Sequence, residues 1–486
     1  MNAQQLPREA CNTPTDGFRR TLRHIGRAAH ALSLGLALLT PAWDEGLFAI
    51  LPIATLHLGE RSYKVGLLSL LPLVAAMLWG ATHPLPPKEW GSSTRTSRRK
   101  ELRRWLPLLI LSILVLVRIW PVHQPRRAAT AVLAVALLWG GSFLAYHNLT
   151  PRWLLASLMF VLLVQGALAT LQFLKQSSLG IYSLGEMSMT PDTQGASVIE
   201  AADRRWLRAY GLTPHPNILG GYLSLALLTC LGMRGQVAAR RGRPSFHILA
   251  ALALVIGAAG LFFSFSRSAW IGTCVGLLYL GLVLKPWRRI AREAPRSRYL
   301  LPLVGGIAVG AIITLGTLCG ELLLSRLRAP LEQTSIRERL EEMRQAWVLI
   351  RARPLLGVGP GYYIDALWAA IGNFMGPNYP GFRVVHNLYL LSAAELGIPG
   401  ALLTLWFLIT PPLTVWQRSR QREISPTAAG VAAAFLAAAI TGCVDYYRYI
   451  PVTWWPPLML GTLAGAWVRI MTISGDVPSP DGNEVA

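Results

Sequence analysis

The chain has 486 residues, of which 53% are hydrophobic and only 14% are charged. A soluble globular domain carries roughly 25% charged residues, so this composition excludes a protein exposed to water over its whole length. It predicts a membrane protein. The 46 Lys and Arg residues outnumber the 24 Asp and Glu residues and leave a formal net charge of +22. Much of this excess lies in short runs between apolar segments, where basic residues bind lipid headgroups, so membrane lipids and not nucleic acid are the expected partners.

The first 29 residues are basic and are predicted to form a cytoplasmic N-terminus. After them, about twelve windows are long and apolar enough to cross a hydrocarbon core about 30 Å thick. The first window contains Pro41, Asp44 and Glu45, so a broken or re-entrant element is the alternative there. The windows are residues 30–58, 64–82, 105–121, 128–147, 153–174, 217–233, 245–265, 268–284, 299–319, 387–410, 426–443 and 453–471.

These windows predict an all-α fold: a polytopic transmembrane helical bundle of about 12 spans, with a large, partly helical external loop between spans 9 and 10. Five basic runs lie at one side together with both termini, and the positive-inside rule makes that side cytoplasmic. Arg118, Arg126 and Arg127, between spans three and four, depart from the rule. The expected location is the cytoplasmic (inner) membrane.

The chain divides into N-terminal transmembrane helices (30–174), a core (175–405), C-terminal transmembrane helices (406–473) and a polar tail (474–486) predicted to be disordered. The core contains two long external connections, residues 175–216 and 320–386, and loops of this size on a helical scaffold commonly carry function. The five cysteines form no CxxC pair or His/Cys cluster, so neither a disulfide framework nor a zinc site is predicted.

Several polar residues are predicted at the external ends of spans six and eight. Arg267 lies at the N-terminus of span eight, where unpaired backbone N–H groups and the helix dipole favour an anion. A guanidinium there would bind phosphate, although an Arg that reaches to headgroups is the alternative. Arg208 and His215 lie close to the membrane surface before span six, and Asn217 is the predicted N-cap of that span, so a capped helix start is the simpler interpretation.

The external loop contains an arginine-rich segment with helical periodicity. Leu340, Met343, Trp347 and Ile350 are predicted to form one apolar stripe that faces inward. Such a helix would lie in the membrane interface with its cations at headgroup level. The arginines along its two edges are Arg337, Arg339, Arg344 and Arg351.

His386 lies at the external start of span ten. The positive end of the helix disfavours an imidazolium there, so a neutral base that accepts a proton from a hydroxyl is predicted. A capping or interface role is the alternative. Glu395 is about 13 Å further along the helix axis, too far to orient His386, and is predicted to pair with another helix.

Taken together, these segments resemble the O-antigen ligase and polymerase superfamily of bacterial membrane glycosyltransferases. The resemblance covers about residues 190–405, and Met343 stands where the family commonly has Trp. Arg383 is the nearest candidate for a further arginine of the ligase loop. The motifs are Arg208-x-x-Gly211 with His215-Pro216-Asn217, Ser266-Arg267-Ser268, Arg339-Leu340-Glu341 before Pro354-Leu-Leu-Gly-Val-Gly, and His386-Asn387 before Glu395-Leu-Gly-Ile-Pro-Gly.

The resemblance implies a transferase without cofactor or metal that moves a glycan from a polyprenyl diphosphate donor to a lipid or glycan acceptor at the external, periplasmic face. Lipopolysaccharide and other cell-surface polysaccharides are the expected products. His386, Arg267 and Arg339 are the expected catalytic residues, with inversion at the anomeric carbon. Arg208, His215, Asn217, Arg337 and Arg383 are the expected substrate-binding residues.

Three alternatives remain open at this point. A polysaccharide polymerase of the same superfamily differs from a ligase only in its acceptor. A transporter or flippase of an anion or lipid-linked sugar would place its ionisable residues near the bilayer midplane. A noncatalytic assembly protein would depend on the loop helix more than on His386.

Overall fold

The computed structural model describes most of the chain and is predominantly helical. The predicted span at 299–319 and the predicted N- and C-terminal segments 1–29 and 474–486 lie outside the described residues. These are 52–58, 61–66, 95–119, 125–143, 145–146, 151–184, 186–201, 204–238, 244–285, 320, 330–372, 382–421, 424–446 and 455–473.

Helices occupy nine of the predicted span windows within these ranges, together with two helices of the external loop. Eight of the nine are continuous, and the ninth, α9, is interrupted. The helices are α1 (Arg95–Ile119), α2 (Pro125–Phe143), α3 (Pro151–Lys175), α4 (Pro216–Ala238), α5 (Pro244–Phe263), α6 (Arg267–Leu284), α7 (Pro330–Ala352), α8 (Tyr363–Ile371), α9 (Leu388–Ser419), α10 (Pro426–Thr441) and α11 (Trp455–Ile473).

Membrane-spanning character is clearest in four of these helices. Within the described residues, α3, α4, α6 and α9 contain segments that are long and apolar enough to cross a membrane. Shorter apolar helices are Ala131–Phe143, Ile248–Phe263 and Pro426–Thr441. The protein is therefore a helical membrane protein, and the count of about twelve spans remains a prediction.

Two short antiparallel hairpins correct the all-α prediction. Strands β1 (Pro52–Leu58) and β2 (Arg61–Gly66) pair where the first predicted span window ends and the second begins. Both strands contain β-branched residues, which favour extended backbone over helix. Strands β3 (Val198–Ala201) and β4 (Arg204–Leu207) form the second hairpin, in the connection before α4.

The bundle packs closely where small residues face one another. Gly232 of α4 and Gly430 of α10 meet backbone to backbone, and a Cβ atom on either residue would overlap the other helix. Small residues at helix interfaces allow this approach in membrane proteins, where van der Waals packing and not water drives helix association. The main core lies between α2, α3, α4, α5, α6, α10 and α11.

Helix α9 is interrupted at Gly397, whose φ of 78° and ψ of 172° are not helical. We name residues 388–396 α9a and residues 398–419 α9b. The hydroxyls of Ser392 and Thr404 lie 3.4 Å apart across this break, whereas residues that far apart in a continuous helix are separated by about 18 Å along its axis. α9a therefore folds back against α9b.

Basic side chains gather at one end of the bundle. Arg104 donates to Thr472 over 2.9 Å, Lys285 donates to the Ser419 carbonyl over 3.3 Å, and Arg418 lies 3.6 Å from the sulfur of Met471. We call this the basic end. The opposite ends of α6 and α10 carry Arg267 and Thr441, so the residues described next lie at the other end.

The loop helix α7 confirms the predicted helix but corrects its orientation. Ile350 is buried and Met343 is half-buried, but Leu340 and Trp347 are 52% and 49% exposed. The buried face instead contains Glu342, Gln345, Ala346 and Leu349, because α7 packs on α8 and α9 and forms a small second core with them.

Candidate active site at one end of the bundle

His386 and Glu342 form a close pair between α7 and the start of α9. The Nδ1 atom of His386 lies 2.7 Å from Oε2 of Glu342, and the backbone N–H of His386 donates to the same oxygen over 3.2 Å. Glu342 is only 7% exposed at its side chain, and His386 is 31% exposed. The carboxylate therefore fixes the imidazole from a buried position and leaves Nε2 as the nitrogen that can meet a substrate.

Asp445 joins this pair to the start of α4. Its Oδ2 atom accepts from Nδ2 of Asn217 over 2.9 Å, while Oδ1 of Asn217 accepts from Arg208 over 2.6 Å. Arg208 is buried and donates through Nε to the Ser264 carbonyl over 2.8 Å. A chain of hydrogen bonds thus runs from Asp445 to the turn that precedes Arg267.

Arg267 is the first residue of α6, and Ser266 caps this helix by accepting the N–H of Ala269. The carbonyl of the next residue, Ser268, lies 3.5 Å from the Thr441 hydroxyl at the end of α10. One residue further, the Gly442 carbonyl accepts the N–H of Leu388 over 2.8 Å. These contacts place Arg267 and His386 at the same end of the bundle, away from the basic end.

Arg339, a third residue predicted to be catalytic, also lies near Asp445. Burial raises the pKa of Asp445, and the nearby His386 and Arg339 partly offset this rise. The neighbouring Tyr446 has a pKa raised by burial and by the acidic groups Asp445, Glu342 and Glu395. Its ring packs edge-on against His386 at 5.3 Å between centroids.

His215 and Asn217 are tied into the protein. Nε2 of His215 lies 3.0 Å from the Ser197 hydroxyl, and Nδ1 accepts the N–H of Asn217 over 3.2 Å. The prediction that Asn217 caps α4 is wrong, because α4 already begins at Pro216 and the carbonyl of His215 accepts its first N–H groups. The Asn217 side chain is thereby left to bridge Arg208 and Asp445.

Arg337 and Arg383 lie at the exposed edge of the site. Arg337 is exposed on α7. Arg383 forms an ion pair with Glu338 at 2.8 Å, in which both side chains are about half exposed at 59% and 48%. The structure thus places these two arginines on one surface of the external loop, outside the buried chain of hydrogen bonds.

Buried amides of α3 hold the turn that carries Arg208. Oε1 of Gln172 accepts the N–H groups of Tyr210 and Gly211, and Oε1 of Gln165 accepts that of Leu212. Gly211 has a positive φ of 57°, and a Cβ atom there would overlap Gln165. Gln172 also donates to Glu186, so one buried polar network fixes both the turn and the preceding loop.

The Pro354-Leu-Leu-Gly-Val-Gly segment lies against the break in α9. The N–H groups of Val358 and Gly359 donate to the carbonyls of Ala394 and Glu395, both over 2.8 Å. Oε1 of Glu395 accepts the N–H of Gly361 over 3.0 Å. Glu395 therefore pairs with this loop, where the sequence predicted a partner on another helix.

Two residues of the site were missed by sequence reasoning. Glu342 directly follows the Arg339-Leu340-Glu341 motif, but it is one of four glutamates in α7, so the local sequence did not single it out. Asp445 was marked only by its isolation at the external end of span eleven. Among the described residues, no three His, Cys, Asp or Glu side chains gather as candidate metal ligands.

A family model described as O-antigen ligase matches residues 252–405. The matched segment begins in α5, ends in α9, and contains Arg267, Arg339, Glu342 and His386. Arg208, Asn217 and Asp445 lie outside it. No curated protein matches the chain. Over this segment, about a third of the chain, the protein is similar to the O-antigen ligase family.

Proposed function

We propose that the protein transfers a glycan from a polyprenyl diphosphate carrier to an acceptor hydroxyl, with inversion at the anomeric carbon. The observation that carries this proposal is the 2.7 Å contact between Nδ1 of His386 and Oε2 of Glu342. Arg339 lies near this pair, because Asp445 interacts electrostatically with both His386 and Arg339. A base and cations at one place are what such a reaction needs.

His386 acts as the general base. Glu342 accepts the Nδ1 proton, so Nε2 carries the lone pair that takes the proton from the acceptor hydroxyl. The Glu342 carboxylate then stabilises the imidazolium that forms, as the acidic member of a His–carboxylate pair does in other enzymes. This division of labour requires Glu342 to remain ionised and His386 to begin neutral.

The arginines stabilise the leaving diphosphate. As the acceptor oxygen bonds to the anomeric carbon, the bond from that carbon to the diphosphate oxygen breaks and its electrons stay on the diphosphate. Arg267 and Arg339 supply the positive charge for that oxygen without a metal ion. Arg337 and Arg383, on the exposed edge, bind the outer part of the donor or the glycan.

Arg208, His215 and Asn217 contribute mainly by holding the site. Arg208 and Asn217 connect the Ser264 turn to Asp445, so they fix Arg267 relative to His386. Arg208, His215 and Asn217 therefore meet the substrate as parts of a fixed arrangement of side chains. Such fixed proximity and orientation lower the activation barrier of the transfer.

The location in the cell follows from charge. The basic end lies on the cytoplasmic side of the inner membrane, and the site opens to the external, periplasmic side, where lipopolysaccharide or another surface polysaccharide is assembled. A lipid core as acceptor makes the protein a ligase, and a second glycan chain makes it a polymerase.

The test uses purified protein in lipid nanodiscs with a defined polyprenyl diphosphate glycan, acceptor lipid and a chelator. We expect His386→Ala and Arg267→Ala to lower the transfer rate by about 10²- to 10⁴-fold, the usual share of one general base or one charge-stabilising group. Arg344→Ala is the matched control, because Arg344 is 80% exposed on α7 and pairs only loosely with Glu341 at 3.6 Å. Wild-type rates in both site variants would overturn the proposal.

A further inference from the structure

A second group of cations lies at the site end of the bundle, at the tip of α1. Arg118, the second-last residue of α1, donates to the Gly357 carbonyl over 3.2 Å. It is about 21 Å along the helix from Arg104, which lies at the basic end. Since a hydrocarbon core is about 30 Å thick, Arg118 lies within the leaflet of the site end, below its headgroups.

Within the described residues, Arg118 lacks an anionic partner. A guanidinium carries a permanent charge and five N–H donors, and a carbonyl oxygen accepts a hydrogen bond but does not balance the charge. The Nε atom of Arg118 is buried and has no hydrogen-bond partner in the described part of the chain. Cations inside a membrane are costly and normally pair with an anion. Arg118 therefore marks a place where an anion from outside the chain can bind.

The turn after α7 brings a second arginine to the same place. The carbonyl of Arg353 accepts the N–H of Gly357 over 3.0 Å, so Arg353 and Arg118 both contact Gly357. Arg353 is exposed. Leu355 and Leu356, in the same turn, are 70% and 56% exposed. The turn thus presents two large apolar side chains beside two cations.

The surroundings of this turn combine positive charge with an apolar, lipid-facing surface. Residues 343–364 contain three arginines and no Asp or Glu. The carboxylate of Glu395, which packs against the turn, is buried and accepts the N–H of Gly361. Val117 of α1 and Leu402 of α9b are 61% and 62% exposed, and α1 and α9 pack on each other. A phosphate group attached to aliphatic chains is complementary to such a surface.

We propose that Arg118, Arg353, Leu355 and Leu356 form a binding surface for one anionic phospholipid of the adjacent leaflet. We call these four residues the lipid surface. The phosphate accepts hydrogen bonds from the two guanidinium groups, and the acyl chains cover the two leucines and the neighbouring lipid-facing side chains. The lipid surface lies at the other end of α9a from His386, so the inference is independent of the proposed function.

A phospholipid fits this surface better than other sources of phosphate. A free phosphate ion leaves Leu355 and Leu356 uncovered, and exposed apolar side chains of this size favour contact with hydrocarbon. A phosphorylated acceptor lipid has to bring its hydroxyl to His386, whereas the lipid surface is about 13 Å away along α9a. The bound phospholipid holds the turn against the break in α9, because Val358 and Gly359 donate to carbonyls of α9a.

The binding test is native mass spectrometry of the full-length protein in detergent, titrated with phosphatidylglycerol or with phosphatidylcholine of the same acyl chains. We expect phosphatidylglycerol to bind more tightly. Arg118→Gln and Arg353→Gln should each weaken its binding about fivefold, the usual contribution of one basic residue near an anionic lipid. Arg344→Gln is the matched control, because Arg344 is 80% exposed on α7, outside the lipid surface. Equal binding of the two lipids, or an equal loss in all three variants, would overturn the inference.

Hydrogen exchange gives a local readout that does not depend on the folding of Arg118→Gln. Arg353 is exposed, so Arg353→Gln removes a charge without leaving a buried gap. We expect phosphatidylglycerol to slow the amide exchange of Val358 and Gly359 in the wild type and to slow it less in Arg353→Gln. Unchanged exchange in the wild type, or the same slowing in both proteins, would contradict the inference.

A phosphorylated glycolipid, added as a competitor, tests the source of the phosphate. If it leaves the bound phosphatidylglycerol in place, the lipid surface stands as a phospholipid site. If it displaces phosphatidylglycerol from the wild type, the surface belongs to the acceptor and the phospholipid assignment fails. If phosphatidylglycerol binds through Arg118 and Arg353 but the protein transfers no glycan, the proposed function fails and the lipid surface stands.

Discussion

Glu342 controls His386 more directly than any other residue in the described structure. Its carboxylate is buried and engages both the backbone N–H and the ring of His386. A buried carboxylate that accepts two N–H bonds selects the ring tautomer as well as the ring orientation. In the proposed mechanism, Glu342 therefore positions the base and need not contact the substrate.

Glu342→Gln tests this positioning role. The amide keeps the size of the side chain but loses the charge that stabilises the imidazolium. We expect kcat to fall by about tenfold to a hundredfold, part of the 10²–10⁴ that a general base contributes, with little change in KM and a shifted pH profile. The neighbouring Glu341→Gln, on the exposed face of α7, is the control and should keep the wild-type kcat. A drop in both variants would contradict a specific role.

Asp445 should make stability depend on pH in an unusual direction for a carboxyl group. Burial raises its pKa above the ordinary value of 3.8, so the folded state binds a proton more tightly than the unfolded state. The contribution of Asp445 to stability is then present at low pH and declines as the pH rises above about 4 through the folded-state pKa.

Asp445→Asn removes this titration while keeping a group that can accept from Asn217. We expect the thermal unfolding midpoint of the variant, measured in detergent across the acid and neutral range, to improve relative to wild type as the pH rises. A wild-type-minus-variant difference that is flat or grows with pH would contradict the assignment.

At the scale of elements, the break in α9 decides where the loop of residues 354–361 packs. Gly397 lies where α9a folds back on α9b, and the Pro354–Gly361 loop hydrogen-bonds to the carbonyls exposed there. The N–H of Ile398 donates to the Pro354 carbonyl over 2.7 Å, and Arg118 of α1 donates to the Gly357 carbonyl over 3.2 Å. The backbone groups that are left unpaired at the break thus form hydrogen bonds with the loop. Arg118 connects α1 to the same loop.

Gly397→Ala should destabilise the protein for two separate reasons. Its φ of 78° strains any residue with a Cβ, at about 1–3 kcal/mol, and that Cβ would also overlap the Leu355 carbonyl. Gly180→Ala is the matched control, since Gly180 has a φ of 92° but a Cβ added there would have no atom within 4 Å. We expect thermal unfolding in detergent to show a larger loss for Gly397→Ala; equal losses would mean that the contact with the loop adds nothing.

At the scale of the whole molecule, the basic end and the candidate site lie at opposite ends of the bundle. Arg104, Lys285 and Arg418 lie at the basic end, and Arg208, Arg267 and His386 lie at the other. The positive-inside rule favours a cytoplasmic basic end, and this is the basis on which we propose that the site end faces outward.

Single cysteines at the two ends test this orientation in a variant that lacks the native cysteines. Gln194→Cys lies in the exposed loop before α4, at the site end, and Gln421→Cys lies just after α9, at the basic end. We expect a membrane-impermeant maleimide to label the first in intact cells and the second only after permeabilisation. Labelling in the reverse order would place the site in the cytoplasm.

The sequence by itself determined the class of protein and selected several residues that the structure brings to one end of the bundle. Apolar windows separated by basic runs predicted a helical membrane protein because a lipid-exposed backbone must satisfy its own hydrogen bonds. His386 and Arg267 were chosen by residue type and by position at helix ends, and Arg339 was chosen by its short motif, all of which are local properties. The helix at α7 followed from its periodicity in the same way.

Only the tertiary structure decided how these residues meet. Glu342 and His386 are separated by 44 positions, and Asn217 and Asp445 by 228, so no local pattern could pair them. The orientation of α7 and the reversal of α9 at Gly397 depend on which neighbours each helix buries against. The contact of Glu395 with the loop also arises from non-local packing, which a sequence constrains only through the fold as a whole.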